Sequence, residues 1–231
     1  MEMNQAFRRP AVVVLDVNET LTDMSPLRGR LVEVGASGAL FDVWFAATLR
    51  DGFAVTAAGG YAEFADIARH ILTELLTSHL DLAADPAVAA DHVLAGLSEL
   101  DVHPDVPEGL HRLHESGVRL VTLTNGATAM SDDALSRAGV LDLLETRLSV
   151  ADAGRWKPAP ESYAFAGGRV GEPPERLALV AVHPWDVDGA ARAGLIGAWL
   201  NRSGTVYPPY LTAPAVTGPT LPALADRLLG G

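Results

Sequence analysis

Four consecutive branched residues, Val12-Val13-Val14-Leu15, run without interruption into Asp16, and this abrupt change from apolar to charged narrows the folds open to the chain. An unbroken β-branched and aliphatic run reads as a strand covered on both faces, as in a parallel sheet with helices on either side. Ligands of open α/β sheets bind beyond the carboxyl ends of the strands, so Asp16 is expected to project into a crevice, with Asn18 and Thr20 on the turn that follows. The competing reading is structural, since Asp16 and Asn18 are also good turn and helix-capping residues.

The remainder of the chain repeats the pattern. Residues 118–123, 144–150, 177–182 and 196–201 read as further strands, alternating with helices over 109–116, 132–138, 160–167 and 188–193. Such alternation predicts an α/β protein with a Rossmann-like, doubly wound parallel sheet. Between the first strand and this region the signal is helical only. Segments 27–34, 40–49, 61–80 and 86–97 carry apolar residues at helical spacing, separated by Gly35 and Gly38, a loop at Gly52, Gly59-Gly60 and Asp85-Pro86. Tyr61, Phe64, Ile67, Ala68, Ile71, Leu72 and Leu75 make one apolar helix face, read as packing. The expected organisation is a core of residues 1–22 and 101–231, interrupted by a helical cap subdomain of residues 23–100. The proline-rich stretch 208–222 is expected to pack over the core ahead of a short last helix.

Composition removes several classes of protein. The chain has 231 residues, 48% hydrophobic and 20% charged, enough for one large domain or a core with a smaller unit. It has no cysteine, which excludes disulfides, a thiolate nucleophile and cysteine-held zinc or iron–sulfur clusters. A net charge of −12 argues against nucleic acid or an anionic membrane as partner and favours a small-molecule substrate. The apolar run after the N-terminal arginines breaks at Asp16, too short for a secretory signal or a membrane span, so a cytoplasmic location is expected.

Right-handed crossovers between parallel strands bring their ends to one edge of the sheet. Asp16, Thr124-Asn125, Lys157 and the stretch His183 to Asp186 each lie just beyond a predicted strand and are thereby expected to meet. Their chemistry is complementary: Asp16 as nucleophile, Lys157 as the cation that keeps it ionised, Thr124 and Asn125 as hydrogen-bond donors, Asp186 as a second carboxylate. An adjacent ammonium lowers a carboxylate pKa by roughly 1 to 3 units, and only the anion attacks.

The motifs LDVNETL, LTNG, WKPAPESY and HPWDVDGAARAG, in that order with a helical insert after the first, resemble the haloacid dehalogenase superfamily over essentially the whole chain. Within it the chain is most similar to the type II (S)-2-haloacid dehalogenases, whose last motif carries Trp-Asp followed by Gly-Ala, as Trp185-Asp186 and Gly189-Ala190 do here. The resemblance implies that Asp16 displaces halide from C2 of a short 2-haloacid, forming an ester. Water near Asp186 then hydrolyses it to a 2-hydroxy acid. It also implies catalytic positions at Thr20, Thr124, Asn125 and Lys157, with Asn18, Phe45, Tyr163 and Trp185 as substrate contacts. The family's habit of dimerising through the cap raises a homodimer.

Two rivals share the fold. Magnesium-dependent phosphatases of the superfamily use an acid two residues after the nucleophile, where this chain has Asn18, and an amide is no proton donor for catalysis. Their metal is held by an acid four residues before the position of Asp186, which here is Val182, and Mg²⁺ needs oxygen ligands. No metal or cofactor is therefore expected. The other rival, an idle ligand-binding relative, would have no need of both Asp16 and Lys157. The chain departs from the dehalogenases in Ala181 and His183, which replace Ser and Asn, and His183 is read as a substitute donor. It also has Phe45 where the halide-contacting arginine follows an aromatic, with Arg50 as a candidate stand-in.

Overall fold

The computed structural model, which describes residues 8–79 and 85–230, builds a parallel sheet around the first strand. In chain order the elements are β1 (Val12–Leu15), α1 (Leu27–Glu33), α2 (Leu40–Ala57), α3 (Phe64–His79), α4 (Pro86–Ala95), α5 (Val106–Glu115), β2 (Arg119–Thr124) and α6 (Ala129–Arg137). They continue as β3 (Thr146–Ser149), α7 (Pro160–Val170), β4 (Leu177–Ala181), α8 (Pro184–Arg192), β5 (Ile196–Leu200), β6 (Val216–Gly218) and α9 (Leu221–Leu229). The strand order is β3-β2-β1-β4-β5-β6 and every pair is parallel. β1 is thus central, with Val12 opposite both Arg119 of β2 and Leu177 of β4. The winding reverses here, and the crevice beyond the ends of β1 and β4 is the switch point at which such sheets bind ligands.

All four residues of β1 are at 0% exposure, and alternate side chains feed the two sides of the sheet. Val12 and Val14 join a core with Tyr163 and Ala166 of α7, Val187 of α8 and the cap helices. Val13 and Leu15 join another with Leu110 and Leu113 of α5 and Leu221 and Leu224 of α9. Full burial of such side chains contributes about 1.5–3 kcal/mol each, which is why an unbroken apolar run is tolerated only at the centre of the sheet.

Helices α1 to α4 occupy the insert. The chain leaves and rejoins the core side by side: the Asp23 N–H donates to Asp101 O at 2.9 Å and the His103 N–H to Leu21 O at 2.8 Å. The insert therefore returns where it departed and leaves the sheet unbroken. No helix of the described residues is long and apolar enough to cross a membrane.

Several local expectations differ from the structure. α8 starts at Pro184, not at residue 188, because a proline in the first helical turn has no N–H to leave unsatisfied; Trp185 and Asp186 are therefore helical. Part of the proline-rich tail forms β6, whose three residues are too few to show a period. Tyr61 precedes α3, and Leu80, the expected last residue of that helix, lies outside the described residues.

The largest difference is at Gly52, read as a loop but lying inside α2. Its lack of a side chain makes room for Trp156, which comes from the core loop before Lys157. The Trp156 ring stacks on Phe64 with centroids 5.8 Å apart, its Nε1–H donates to Ala62 O at 3.0 Å, and its backbone N–H to Thr56 Oγ1 at 3.1 Å. A Cβ at Gly52 would overlap that ring. Gly52→Ala is thus expected to destabilise the protein by about 1–3 kcal/mol through overpacking, although alanine is the better helix former by roughly 1 kcal/mol. A lowered urea midpoint checks this, and an unchanged or raised midpoint would deny the contact.

Candidate active site

Lys157 sits between two carboxylates with no exposed surface of its own: Nζ donates to Asp16 Oδ1 at 2.8 Å and to Asp186 Oδ2 at 2.6 Å. Each partner is placed by a different element. Asp16 follows β1 directly, and its N–H donates to Val180 O of β4 at 3.0 Å. Asp186 lies in the first turn of α8, where the helix end favours negative charge. Lys157 lies in the loop between β3 and α7, held from the end of β2 by Asn125, whose Oδ1 accepts the Lys157 N–H at 2.9 Å and whose Nδ2 donates to Lys157 O at 3.2 Å. A buried charge deprived of its partner costs about 3–5 kcal/mol, so the three side chains stand or fall together.

The shared ammonium treats the two acids differently. Burial pushes the Asp16 carboxyl up, but the Lys157 charge, then His183, and the hydrogen bonds from Lys157 and Thr20 hold it below the ordinary value. Burial raises Asp186, which the negative charge of Asp16 reinforces and Lys157 opposes. Burial would lower Lys157, yet its two carboxylates keep it above the usual lysine value. Asp16 is the acid held below its ordinary range, and it is fixed by donors on both oxygens: Thr20 Oγ1 donates to Oδ2 at 2.6 Å while accepting the Val182 N–H at 3.1 Å.

The site residues from Asp16 to Asp186 come to this end of the sheet, and several make contacts that the sequence did not specify. Asn125 spends its amide on the Lys157 backbone. Thr124 Oγ1 accepts the Gly126 N–H at 3.0 Å, a contact that shapes the turn and leaves its hydroxyl hydrogen available. Tyr163, expected against substrate, is fully buried in α7, where its hydroxyl donates to Asp186 Oδ1 at 2.6 Å. Asp186, expected beside a water, has no exposed surface and a partner on each oxygen. Arg50 is turned outward, its side chain 69% exposed and paired with Asp51 at 2.7 Å, so it does not replace the missing arginine.

His183 stands next to the nucleophile. Its Nε2 lies 3.2 Å from Asn18 O, 3.7 Å from Glu19 Oε2 and 3.8 Å from Asp16 Oδ2. Its ring stacks on Trp185 with centroids 5.1 Å apart and meets Phe45 at 6.0 Å, so Phe45 and Trp185 wall the imidazole on two sides. Asn18 contributes its carbonyl to this arrangement. Beside His183 a cleft of about 320 Å³ opens, lined among others by Glu19, Arg28, Phe41 and Trp199. Glu19 was not anticipated: it adopts φ 61°, the one positive value among the described non-glycine residues, and no sequence pattern announces that. Among the described residues no group of three His, Asp or Glu is arranged to hold a metal ion, and the cation between Asp16 and Asp186 is the lysine itself.

A parallel α/β core whose first strand presents a lysine-bound aspartate under a helical insert is the framework of a hydrolase that attacks through its own carboxylate. The chain belongs to the haloacid dehalogenase-like hydrolase family, whose profile matches residues 10–194. It is 33% identical over 204 residues to an (S)-2-haloacid dehalogenase of Burkholderia cepacia, 87% of each chain. It is 29% identical over 170 residues to a haloacetate dehalogenase of a Moraxella species, 74% of this chain and 75% of that one. The L-2-haloacid dehalogenase of Xanthobacter autotrophicus, solved with chloropropionic acid covalently bound, superposes with a TM-score of 0.83 at 27% identity, covering 96% of this chain and 99% of that one.

The acidic limb of the rate profile reports Asp16, which must be anionic to attack. Because the Lys157 charge and hydrogen bond hold the Asp16 pKa down against burial, Lys157→Met leaves only His183 and Thr20 to oppose burial, and the acidic limb of kcat/KM is expected to move up in pH. A limb at the wild-type position would remove Lys157 from this role.

Proposed function

We propose that the protein hydrolyses a short 2-haloalkanoic acid to the 2-hydroxy acid through an ester on Asp16. The observation that carries this reading is the Asp16 carboxylate itself, anionic and fixed by Lys157 and Thr20, in a chain similar along most of its length to 2-haloacid dehalogenases. In the first step an Asp16 oxygen bonds to C2 as the carbon–halogen bond breaks, inverting the centre. In the second, water adds to Asp16 Cγ; Lys157 Nζ donates to Oδ1 and Thr20 Oγ1 to Oδ2, so whichever oxygen remains the carbonyl keeps a donor for the developing oxyanion. Asn18, Phe45 and Trp185 form the substrate side of the site, Tyr163 fixes Asp186, and Asn125 and Thr124 hold the loops. Residues 23–100 act as the cap over this end of the sheet. A carbon–halogen bond needs no leaving-group acid, which suits Asn18 in place of an aspartate, and the proposed reaction uses no metal or cofactor. The same reading makes the protein a cytoplasmic enzyme that pairs through its cap as a homodimer.

Halide release from 2-chloropropionate and related acids is the direct test, run beside a panel of phosphate esters with and without Mg²⁺. The expected result is halide release that survives excess EDTA and vanishes in Asp16→Asn. Activity on phosphate esters alone, lost with EDTA and restored by Mg²⁺, would replace this reading by a phosphatase. In a single turnover in ¹⁸O water the label is expected in the Asp16 side chain, whereas label in the product beside an unlabelled Asp16 would rule out the ester.

A further inference from the structure

We infer that the His183 imidazole is a partition that sets the upper size of the substrate, an inference that rests on the 2-haloacid reading of the same site. Two spaces meet at this ring. On one side is the nucleophile, with Nε2 3.8 Å from Asp16 Oδ2. On the other is the cleft of about 320 Å³, whose lining includes His183 but none of Asp16, Thr20 and Lys157. A space of that size is enough to hold a small ligand. The imidazole stands between it and the carboxylate that attacks.

A partition has to be rigid, and this ring is held from several directions. Nε2 faces the Asn18 carbonyl at 3.2 Å, and because a carbonyl only accepts, that nitrogen carries hydrogen and donates. Trp185 stacks on the ring with 17° between the planes, and Phe45 is tilted against it with centroids 6.0 Å apart. Both neighbours are backed in turn: Phe45 stacks on Phe41 at 6.0 Å, and Trp185 meets the edge of Phe53 at 5.0 Å. The backbone has little freedom, since His183 precedes Pro184. The adjacent Val182 is fixed at both ends of its peptide, its N–H donating to Thr20 Oγ1 at 3.1 Å and its carbonyl accepting from Trp199 Nε1 at 3.0 Å. Only 13% of the His183 side chain is exposed, so the ring fills its position and leaves no open passage past it.

The space behind the ring suits a hydrocarbon chain. Phe41, Val182 and Trp199 give the cleft apolar surface there, with Glu19 Oε2, 3.7 Å from His183 Nε2, as the charged exception. A one-carbon substituent on C2 is accommodated beside the ring, whereas a four-carbon chain needs the space beyond it. A pocket discriminates by about tenfold or more for each methylene it accepts or refuses, so a partition at His183 is read as a fall in kcat/KM with chain length.

The test compares 2-chloropropionate with 2-chlorohexanoate by halide release, as the ratio of their kcat/KM values, so that a loss common to both acids cancels. Wild type is expected to favour the shorter acid by at least about tenfold. His183→Ala removes the ring and should move the ratio toward the longer acid by at least about tenfold. His183→Ser removes the ring too, supplies a side chain suited to the N-cap of α8, and should move the ratio in the same way. His183→Phe keeps a ring without the imidazole nitrogens and should retain the wild-type preference. A wild type that takes both acids alike, an unchanged ratio or loss of both activities in the two ring-free variants, or an equal shift in His183→Phe would overturn the partition while dehalogenation by the wild type stands. A wild type that releases no halide from any 2-haloacid would overturn the function proposed above, and the partition with it.

Discussion

One ammonium group between two buried carboxylates organises this protein. Lys157 cannot be buried without Asp16 and Asp186, and neither acid can be buried as an anion without Lys157. The loops beyond β1, β3 and β4 are thereby tied at one point, and Asn125 from the end of β2 closes the tie through the Lys157 backbone. Stability and chemistry meet in the same three side chains, because the contact that compensates the buried charges also keeps Asp16 ionised.

The division of labour around that centre follows from access. The side away from the cleft is closed: Tyr163 and Asp186 are fully buried and hydrogen-bonded to each other. The side toward the cleft is aromatic and titratable, with Phe45, His183, Trp185 and Glu19 next to one another. Trp156, adjacent to Lys157 in the chain, reaches the opposite way into α2 at Gly52, so the loop that carries the lysine is anchored in the insert as well as in the core.

The parts of the fold that were legible in the sequence are those governed by local pattern. The run from Val12 to Leu15 could be recognised as a doubly covered strand because all four side chains need burial, and a parallel sheet supplies it on both faces. Strand ends, and the residue types waiting at them, followed from the same pattern. Where the reading of elements failed, a tertiary contact outweighed local preference. Gly52 stays helical because Trp156 needs the space, and β6 exists because β5 offers an edge to pair with.

For the site, the sequence by itself determined which side chains would converge: Asp16, Thr20, Lys157, His183 and Asp186 all lie at the carboxyl end of a parallel sheet, and the order of the motifs requires them to meet there. Only the tertiary structure decided which of them touch and in what role, because a hydrogen bond is set by ångström-scale placement that spacing along the chain does not encode. Asn125 therefore turned out to clamp a backbone, Tyr163 to hold Asp186, and Arg50 to face outward. Glu19 entered the site through a single left-handed residue, a backbone state that any sequence reading assigns to glycine first.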